Sequence, residues 1–273
     1  MTGFVSIIGA GPGDPELLTL RAARRLEEAD LILYDALVTH EILDLGRGAK
    51  CFCVGKRGGK ESMAQETIET LLVQSARRGE RVVRLKCGDP FVFGRGSEEA
   101  LHLREAGIPC EVVPGITSAI SAPGAAGIPV THRGISSGFL VTSGHCRETY
   151  EPLLQTCPPN QITLVLLMGV RTASDIAAFL LEQGWSKTTA AAIIFGAWTS
   201  QQSAWSGTLE SLVHHPSALN GEATYADSPG KDRLPGTLII GDVVRLARHD
   251  QYSIRWLTEE SPHPAPQRAS QRR

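Results

Sequence analysis

From Phe4 to Val113 the chain alternates short runs of aliphatic and β-branched residues with longer stretches in which apolar positions recur every three or four residues. Phe4–Ile8, Asp30–Tyr34, Lys50–Val54, Arg81–Leu85 and Cys110–Val113 read as strands. A helix is expected over Pro15–Ala29, with Asp14 as its N-cap and Pro15 in its first position. Ile68, Leu71, Leu72 and Ser75 stand at i, i+3, i+4 and i+7 and mark one face of a second helix. A third runs over Glu98–Ala106 to a stop at Gly107. Strands and helices in this order predict a largely parallel sheet covered on both faces.

Between Pro114 and Gly138 the pattern breaks, punctuated by Pro123, Gly124, Gly127, Pro129 and Gly134, and a domain junction is expected there. The alternation then resumes. Phe139–Thr142, Ile162–Met168, Ala190–Phe195 and Thr237–Gly241 read as strands, Ala173–Gln183 as a helix, and Asp242–Arg248 as helical. His214–Arg233 is polar with scattered Gly and Pro, as in a loop insertion, and Ser261–Arg273 has the composition of a disordered tail. The expected division is an N-terminal α/β domain over 1–115, a junction over 116–137, a C-terminal α/β domain over 138–252 and a disordered tail over 253–273. A chain of 273 residues is long enough for two such cores.

Charge narrows the field. Lys+Arg 27 against Asp+Glu 29 gives a net charge of −2, so nothing global favours nucleic acid or an anionic membrane, and an anionic ligand must be held by a local cluster. No apolar run approaches the ~18 residues of a membrane span, and Met1–Gly9 lacks the features of a secretory leader, so a cytoplasmic protein is expected. Six cysteines (Cys51, Cys53, Cys87, Cys110, Cys146, Cys157) include no C-x-x-C pair, which favours reduced thiols and no metal. Cys51 and Cys53 share one face of their strand and are expected to be buried.

Two segments carry candidate chemistry. Gly9-Ala10-Gly11-Pro12-Gly13-Asp14-Pro15 joins a strand to a helix, and its glycines would let a ligand approach the backbone. As a dinucleotide fingerprint it is poor, because Pro12 and Pro15 remove donors and Asp14 sits where a pyrophosphate needs positive potential. Arg84–Gly96 is more informative: it follows a strand and combines Asp89 with Arg84, Lys86, Arg95 and three glycines, around Phe91-Val92-Phe93. In an open α/β sheet the carboxyl end of a strand is where sites are built. Thr117 and Ser118 lie at a helix start and could simply cap it, and His132-Arg133 could be a plain exposed pair.

Gly9–Pro15, Tyr34-Asp35, Arg84–Gly96 with Glu98-Glu99, and Val113–Arg133 together resemble the tetrapyrrole methylase family. Val54–Arg57, Thr142–His145, Met168-Gly169 and Pro235–Gly241 follow in the family's order, so the resemblance spans roughly Phe4 to Arg248. It implies two α/β domains of the tetrapyrrole methylase type with the active site in the interdomain cleft, S-adenosyl-L-methionine as methyl donor, no metal, and a homodimer. The implied acceptor is uroporphyrinogen III, methylated at two pyrrole rings to give precorrin-2 by way of precorrin-1, for sirohaem or cobalamin. Carried over position by position, Pro12, Cys87, Gly88, Asp89, Val92, Thr117, Ser118, Met168 and Ala197 are implied cofactor residues, with Gly236 and Thr237 near the adenosine. Asp35 is implied as proton acceptor, Lys56 as proton donor, and Arg95 as a substrate-side residue needed for turnover. Arg95, Glu98, His132 and Arg133 are implied substrate contacts, with Lys56 and Arg57 as further cations for the acceptor's carboxylates. Cys87 and Ser97 depart from the family motif, which usually has glycine at both places.

Overall fold

The computed structural model describes residues 2–55, 63–214, 234–247 and 255–256. These fall into two compact units, one holding 2–55, 63–121, 196–201 and 234–235, the other 122–195, 202–214, 236–247 and 255–256. Lys56, Arg57, most of the expected insertion and the expected tail from 257 onward lie outside the described residues.

In the first unit the strands are β1 (Phe4–Gly9), β2 (Leu31–Tyr34), β3 (Lys50–Cys53), β4 (Arg81–Lys86) and β5 (Cys110–Val113). They form a sheet in the order β3-β2-β4-β1-β5 with every pairing parallel. Parallel neighbours require crossovers. These carry α1 (Leu20–Glu27), α2 (His40–Leu43), α3 (Gln65–Arg77) and α4 (Gly96–Glu105). Because successive strand side chains point to opposite faces, Val5, Ile7, Leu31, Leu33 and Val82 pack with Ile68 and Leu72 of α3 and Leu103 of α4. Ile8, Ile32, Val83 and Leu85 turn the other way, against Ala22 and Leu26 of α1 and Ile42 of α2. The covered parallel sheet expected from the sequence is therefore present.

Two expectations are corrected here. The segment 15–29 is not one helix. Asp14 does cap the chain, accepting from the Glu16 amide at 2.8 Å, but only a single 3-10 turn, Pro15–Leu17, follows. Leu18 is extended (φ −70°, ψ 146°), and Thr19 opens α1 as a second N-cap whose hydroxyl accepts from the Ala22 amide at 3.2 Å. Nor are Cys51 and Cys53 buried: β3 is an edge strand, and all four of its residues are exposed. A strand's own alternation does not reveal whether it lies at the edge of its sheet. All six cysteines are free.

Helix α5 (Ser118–Ala125) leads from the first unit into the second, which contains β6 (Phe139–Ser143), α6 (Arg147–Leu154), β7 (Thr163–Leu167) and α7 (Ala173–Glu182). After these come β8 (Ala190–Phe195), β9 (Ser203–Thr208), α8 (Leu209–His214), β10 (Gly236–Ile240) and β11 (Arg255–Trp256). The sheet order is β11-β9-β8-β10-β7-β6. It is mixed: β8 and β10 pair antiparallel with each other and with their other neighbours, whereas β6 runs parallel to β7 and β11 to β9. Ala173, Ile176, Ala177 and Leu180 give α7 its buried face, at the helical spacing visible in the sequence. Among the described residues no helix is long and apolar enough to cross a membrane.

Candidate active site

Three neighbouring strands of the first unit, β4, β1 and β5, end in glycine-bearing turns that touch one another. The Gly11 amide donates to the Gly88 carbonyl at 3.1 Å, and the Gly88 amide returns a bond to the Gly11 carbonyl at 2.8 Å. A Cβ on Gly9 would lie 2.5 Å from the Gly88 oxygen, and one on Gly115 would lie 2.2 Å from the same atom. Only glycine permits backbones this close. Asp89 locks the junction, its Oδ2 accepting from the Gly115 amide at 3.1 Å and its Oδ1 from the Phe91 amide at 2.8 Å. An ionised carboxylate has about four acceptor positions, so Asp89 retains capacity for a ligand.

The segment after Asp89 is a folded loop rather than a loose one. The Val92 amide donates to the Asp89 carbonyl at 3.2 Å and the Gly96 amide to the Pro90 carbonyl at 2.9 Å. Phe93 and Arg95 both have positive φ (53° and 57°), and Phe91 and Phe93 are exposed. Among the described non-glycine residues, Met168 (φ 58°), Trp198 (φ 61°) and Asn160 (φ 58°) complete the set with positive φ. All but Asn160 lie at or beside positions the sequence singles out. Backbone held in a sparsely populated region, at a cost of about 1–3 kcal/mol each, concentrates at functional sites. Arg95 is the N-cap of α4, and its side chain pairs with Glu98 (Nη2 to Oε2, 2.6 Å), both exposed. The hydrogen bond from Arg95 holds the Glu98 carboxyl below its ordinary pKa.

Beneath this loop lies a charge cluster. On β4, Arg84 and Lys86 share a face with Val82, and Asp35 continues the Leu31 and Leu33 face of β2. Arg84 Nη2 donates to Asp35 Oδ1 at 2.5 Å, and Lys86 Nζ lies 4.0 Å from Asp35 Oδ2. Glu99 of α4 takes Arg84 Nε at 3.1 Å and Lys86 Nζ at 3.0 Å on a single oxygen, Oε1. Arg84, Lys86 and Glu99 are buried, with side-chain exposures of 3%, 4% and 0%, whereas Asp35 is 31% exposed. Burial, and then the neighbouring Arg84 charge, holds the Lys86 ammonium below its ordinary pKa, opposed by Asp35 and Glu99. Reading Arg84 and Lys86 simply as part of a binding segment misses this role. Their place two and four residues after Val82, on the same inward face of β4, is the signal that could have disclosed it.

The structure gathers Pro12, Asp35, Cys87, Gly88, Asp89, Val92, Arg95, Glu98, Thr117, Ser118 and Ala197 in the first unit. Thr117 caps α5, its hydroxyl accepting from the Ala119 amide at 3.3 Å, with Ser118 as the first helical residue. His132 and Arg133 are exposed in a turn of the second unit, closed by a bond from the His132 amide to the Ser136 carbonyl at 2.9 Å; His132 Nδ1 lies 2.9 Å from the Arg133 carbonyl. Met168, exposed, follows β7, and Gly236 and buried Thr237 begin β10, also in the second unit. A Cβ on Gly236 would meet Val170 Cγ2 at 2.6 Å.

Cys87 is accommodated at its motif position without positive φ, its Sγ 3.9 Å from the Gly11 carbonyl. Burial, helped by the Asp35 charge, pushes its thiol up to about 11. At pH 8 roughly one such thiol in a thousand is ionised, and the thiolate is the reactive form. Iodoacetamide at pH 8 is therefore expected to label exposed Cys53 while leaving Cys87 unmodified, as read by peptide mass spectrometry. Equal labelling of the two would contradict this environment.

With that geometry in place, residues 5–213 match the family model described as Tetrapyrrole (Corrin/Porphyrin) Methylases. The chain is 43% identical over 249 residues to a uroporphyrinogen-III C-methyltransferase of Methanocaldococcus jannaschii, covering 90% of this chain and 98% of that protein. Siroheme synthase 1 of Yersinia enterocolitica is 42% identical over 260 residues, and the chain spans about half of its length (52%). A crystal structure of Uroporphyrin-III C-methyl transferase from Thermus thermophilus, complexed with S-adenyl homocysteine, superposes with a TM-score of 0.72 at 40% identity. That comparison covers 89% of this chain and all of the other.

Proposed function

This chain belongs to the tetrapyrrole (corrin/porphyrin) methylases, and we propose that it is a uroporphyrinogen-III C-methyltransferase. It uses S-adenosylmethionine to methylate two pyrrole rings in turn, giving precorrin-2 by way of precorrin-1, for sirohaem or cobalamin. The observation that carries this reading is the gathering of Asp35, Gly88, Asp89, Gly115 and Thr117 at the carboxyl ends of the parallel strands β2, β4 and β5, within a chain 43% identical to such an enzyme. The Gly9–Asp14 turn argues against a dinucleotide reading, since it leads into a single 3-10 turn and not into the N-terminus of an α-helix.

When bound, the donor supplies an electrophilic methyl group on a sulfonium. The chain's part is placement and proton handling. Gly88 presents bare backbone beside Thr117, with the Thr117 Cα 3.8 Å from where a Cβ would stand, and Asp89 offers free acceptor positions to a ribose or amino group. Those features fit a small polar donor held largely by backbone. Val92, Ser118, Ala197, Met168, Gly236 and Thr237 are further donor contacts in this proposal. Arg95, Glu98, His132 and Arg133 meet the acceptor, with arginine forks matching its carboxylates. Asp35 accepts the proton that leaves the methylated ring carbon, and Lys56 is the proton donor. The enzyme is proposed to act as a homodimer without a metal, away from nucleic acid and membrane.

Incubation of the purified protein with S-adenosylmethionine and freshly reduced uroporphyrinogen III is expected to add two methyl groups per macrocycle and, after oxidation, to give a red fluorescent product. Donor binding without methylation of uroporphyrinogen III would overturn the acceptor. Failure to bind the donor would overturn the whole reading.

A further inference from the structure

We propose that Glu99 positions the proton acceptor Asp35 through Arg84 and Lys86, a role that rests on the function proposed above. Arg84 and Lys86 are two buried cations on one face of β4, and Glu99, the fully buried carboxylate between them, neutralises only one. Asp35 supplies the second negative charge, so the group is balanced with four members and not with three.

Arg84 bridges the two acids with different nitrogens, Nε to Glu99 and Nη2 to Asp35, so the Glu99 carboxylate sets the plane of the fork that Asp35 meets. Further bonds from Arg84 Nη1 to the Leu33 and Leu85 carbonyls, at 3.3 and 3.2 Å, fix that fork to β2 and β4. From α3, Gln65 Nε2 adds a third donor to Glu99 Oε1 at 3.2 Å. Asp35 is the one member that reaches solvent, and therefore the one able to meet a substrate.

As a stability device the arrangement is poor. Buried ion pairs are often no better than packed apolar residues, and Glu99 Oε2 is buried with no hydrogen-bond partner. An apolar side chain at position 99, with valines at 84 and 86, would continue the row begun by Val82 and Leu33. What the charges do that such a row cannot is hold the Asp35 carboxylate in one orientation at the end of β2. Glu99, Arg84 and Lys86 are in this sense positioning residues, with Asp35 as the group that touches substrate.

The test is a double-mutant cycle on steady-state methylation of uroporphyrinogen III. Glu99→Gln keeps the shape of the side chain and removes its charge; Arg84→Lys keeps the charge and removes the fork, and remains informative should the first variant fold poorly. Each is measured alone and combined with Asp35→Asn, with donor affinity by calorimetry and melting temperature recorded for all. Asp35→Asn alone is expected to lower kcat about a hundredfold or more, as loss of a general base does. Glu99→Gln and Arg84→Lys are each expected to lower kcat about tenfold or more, with KM for the macrocycle and donor affinity within about twofold of the parent. In the Asp35→Asn background each is expected to lower kcat by less than about twofold, because residues acting as one unit are non-additive. Equal losses in both backgrounds, or a loss confined to KM, would mark a merely structural role and overturn the proposal. Unchanged kcat in both variants, or full activity in Asp35→Asn, would overturn it as well. Absence of methylation by the parent protein would instead refute the function on which the proposal rests.

Discussion

Gly115→Ala is expected to destabilise the first unit by about 3 kcal/mol and to weaken donor binding at least about tenfold. The new Cβ would lie 2.2 Å from the Gly88 carbonyl oxygen and 2.7 Å from Gly9 Cα. Both are backbone atoms of strands or turns already fixed by the β1–β4 ladder, so no side-chain rotation relieves the collision. Relief requires the turn after β5 to move away, and that movement also removes the Gly115 amide from Asp89 Oδ2. The destabilisation corresponds to a fall in melting temperature of roughly 6–12 °C. Gly124→Ala is the control: a Cβ there meets nothing within 4 Å. In α5 it is expected to leave the melting temperature unchanged or raise it slightly, since alanine favours helix over glycine. Calorimetry with S-adenosylmethionine separates the second effect from the first. A Gly115→Ala protein with parental melting and parental affinity would show that the three turns do not depend on this contact.

That contact was half legible in the sequence. Glycines after strands announce close approach or positive φ, but Gly9, Gly88 and Gly115 are brought together only by the strand order β4-β1-β5, which no local pattern encodes. The same reason explains the other differences. The strands β1 to β5 could be read because each is a short apolar run between helical segments, whereas the edge position of β3, and hence the exposure of Cys51 and Cys53, depends on which strands pair. In the second unit β9 has no clear signal in the sequence, since Ser203-Ala204-Trp205-Ser206-Gly207-Thr208 has weak strand propensity, and it is held by antiparallel pairing with the uniformly buried β8. Resemblance of motifs brought Asp35, Asp89 and Arg95 into view. It did not show that Asp35 meets Arg84, 49 residues away in sequence, or that Glu99 closes the charge balance from α4.

Arg95→Ala is expected to lower kcat/KM for uroporphyrinogen III about a hundredfold while leaving donor affinity within about twofold. Each fork-to-carboxylate interaction lost corresponds to about 1.5–3 kcal/mol where charge assists the hydrogen bond, and a hundredfold change is about 2.7 kcal/mol. The fold should tolerate the change, because the Arg95–Glu98 pair is exposed on both sides and solvent screens such pairs. Strain gives an independent check. Arg95 sits at φ 57°, a conformation in which glycine is at ease and a residue with a Cβ is not. Arg95→Gly is therefore expected to melt higher than Arg95→Ala, by an amount corresponding to about 1 kcal/mol, while being equally inactive. If the side chain were only a helix-terminal surface group, glycine would serve this position better in every respect. Arginine held there against its backbone preference is explained when the guanidinium is needed by a polycarboxylate ring. Arg95→Lys separates charge from shape: it retains the cation, loses the bidentate fork, and is expected to fall between the parent and Arg95→Ala in kcat/KM. Parental kcat/KM in Arg95→Ala would remove the guanidinium from the reaction and leave the strained turn without a function.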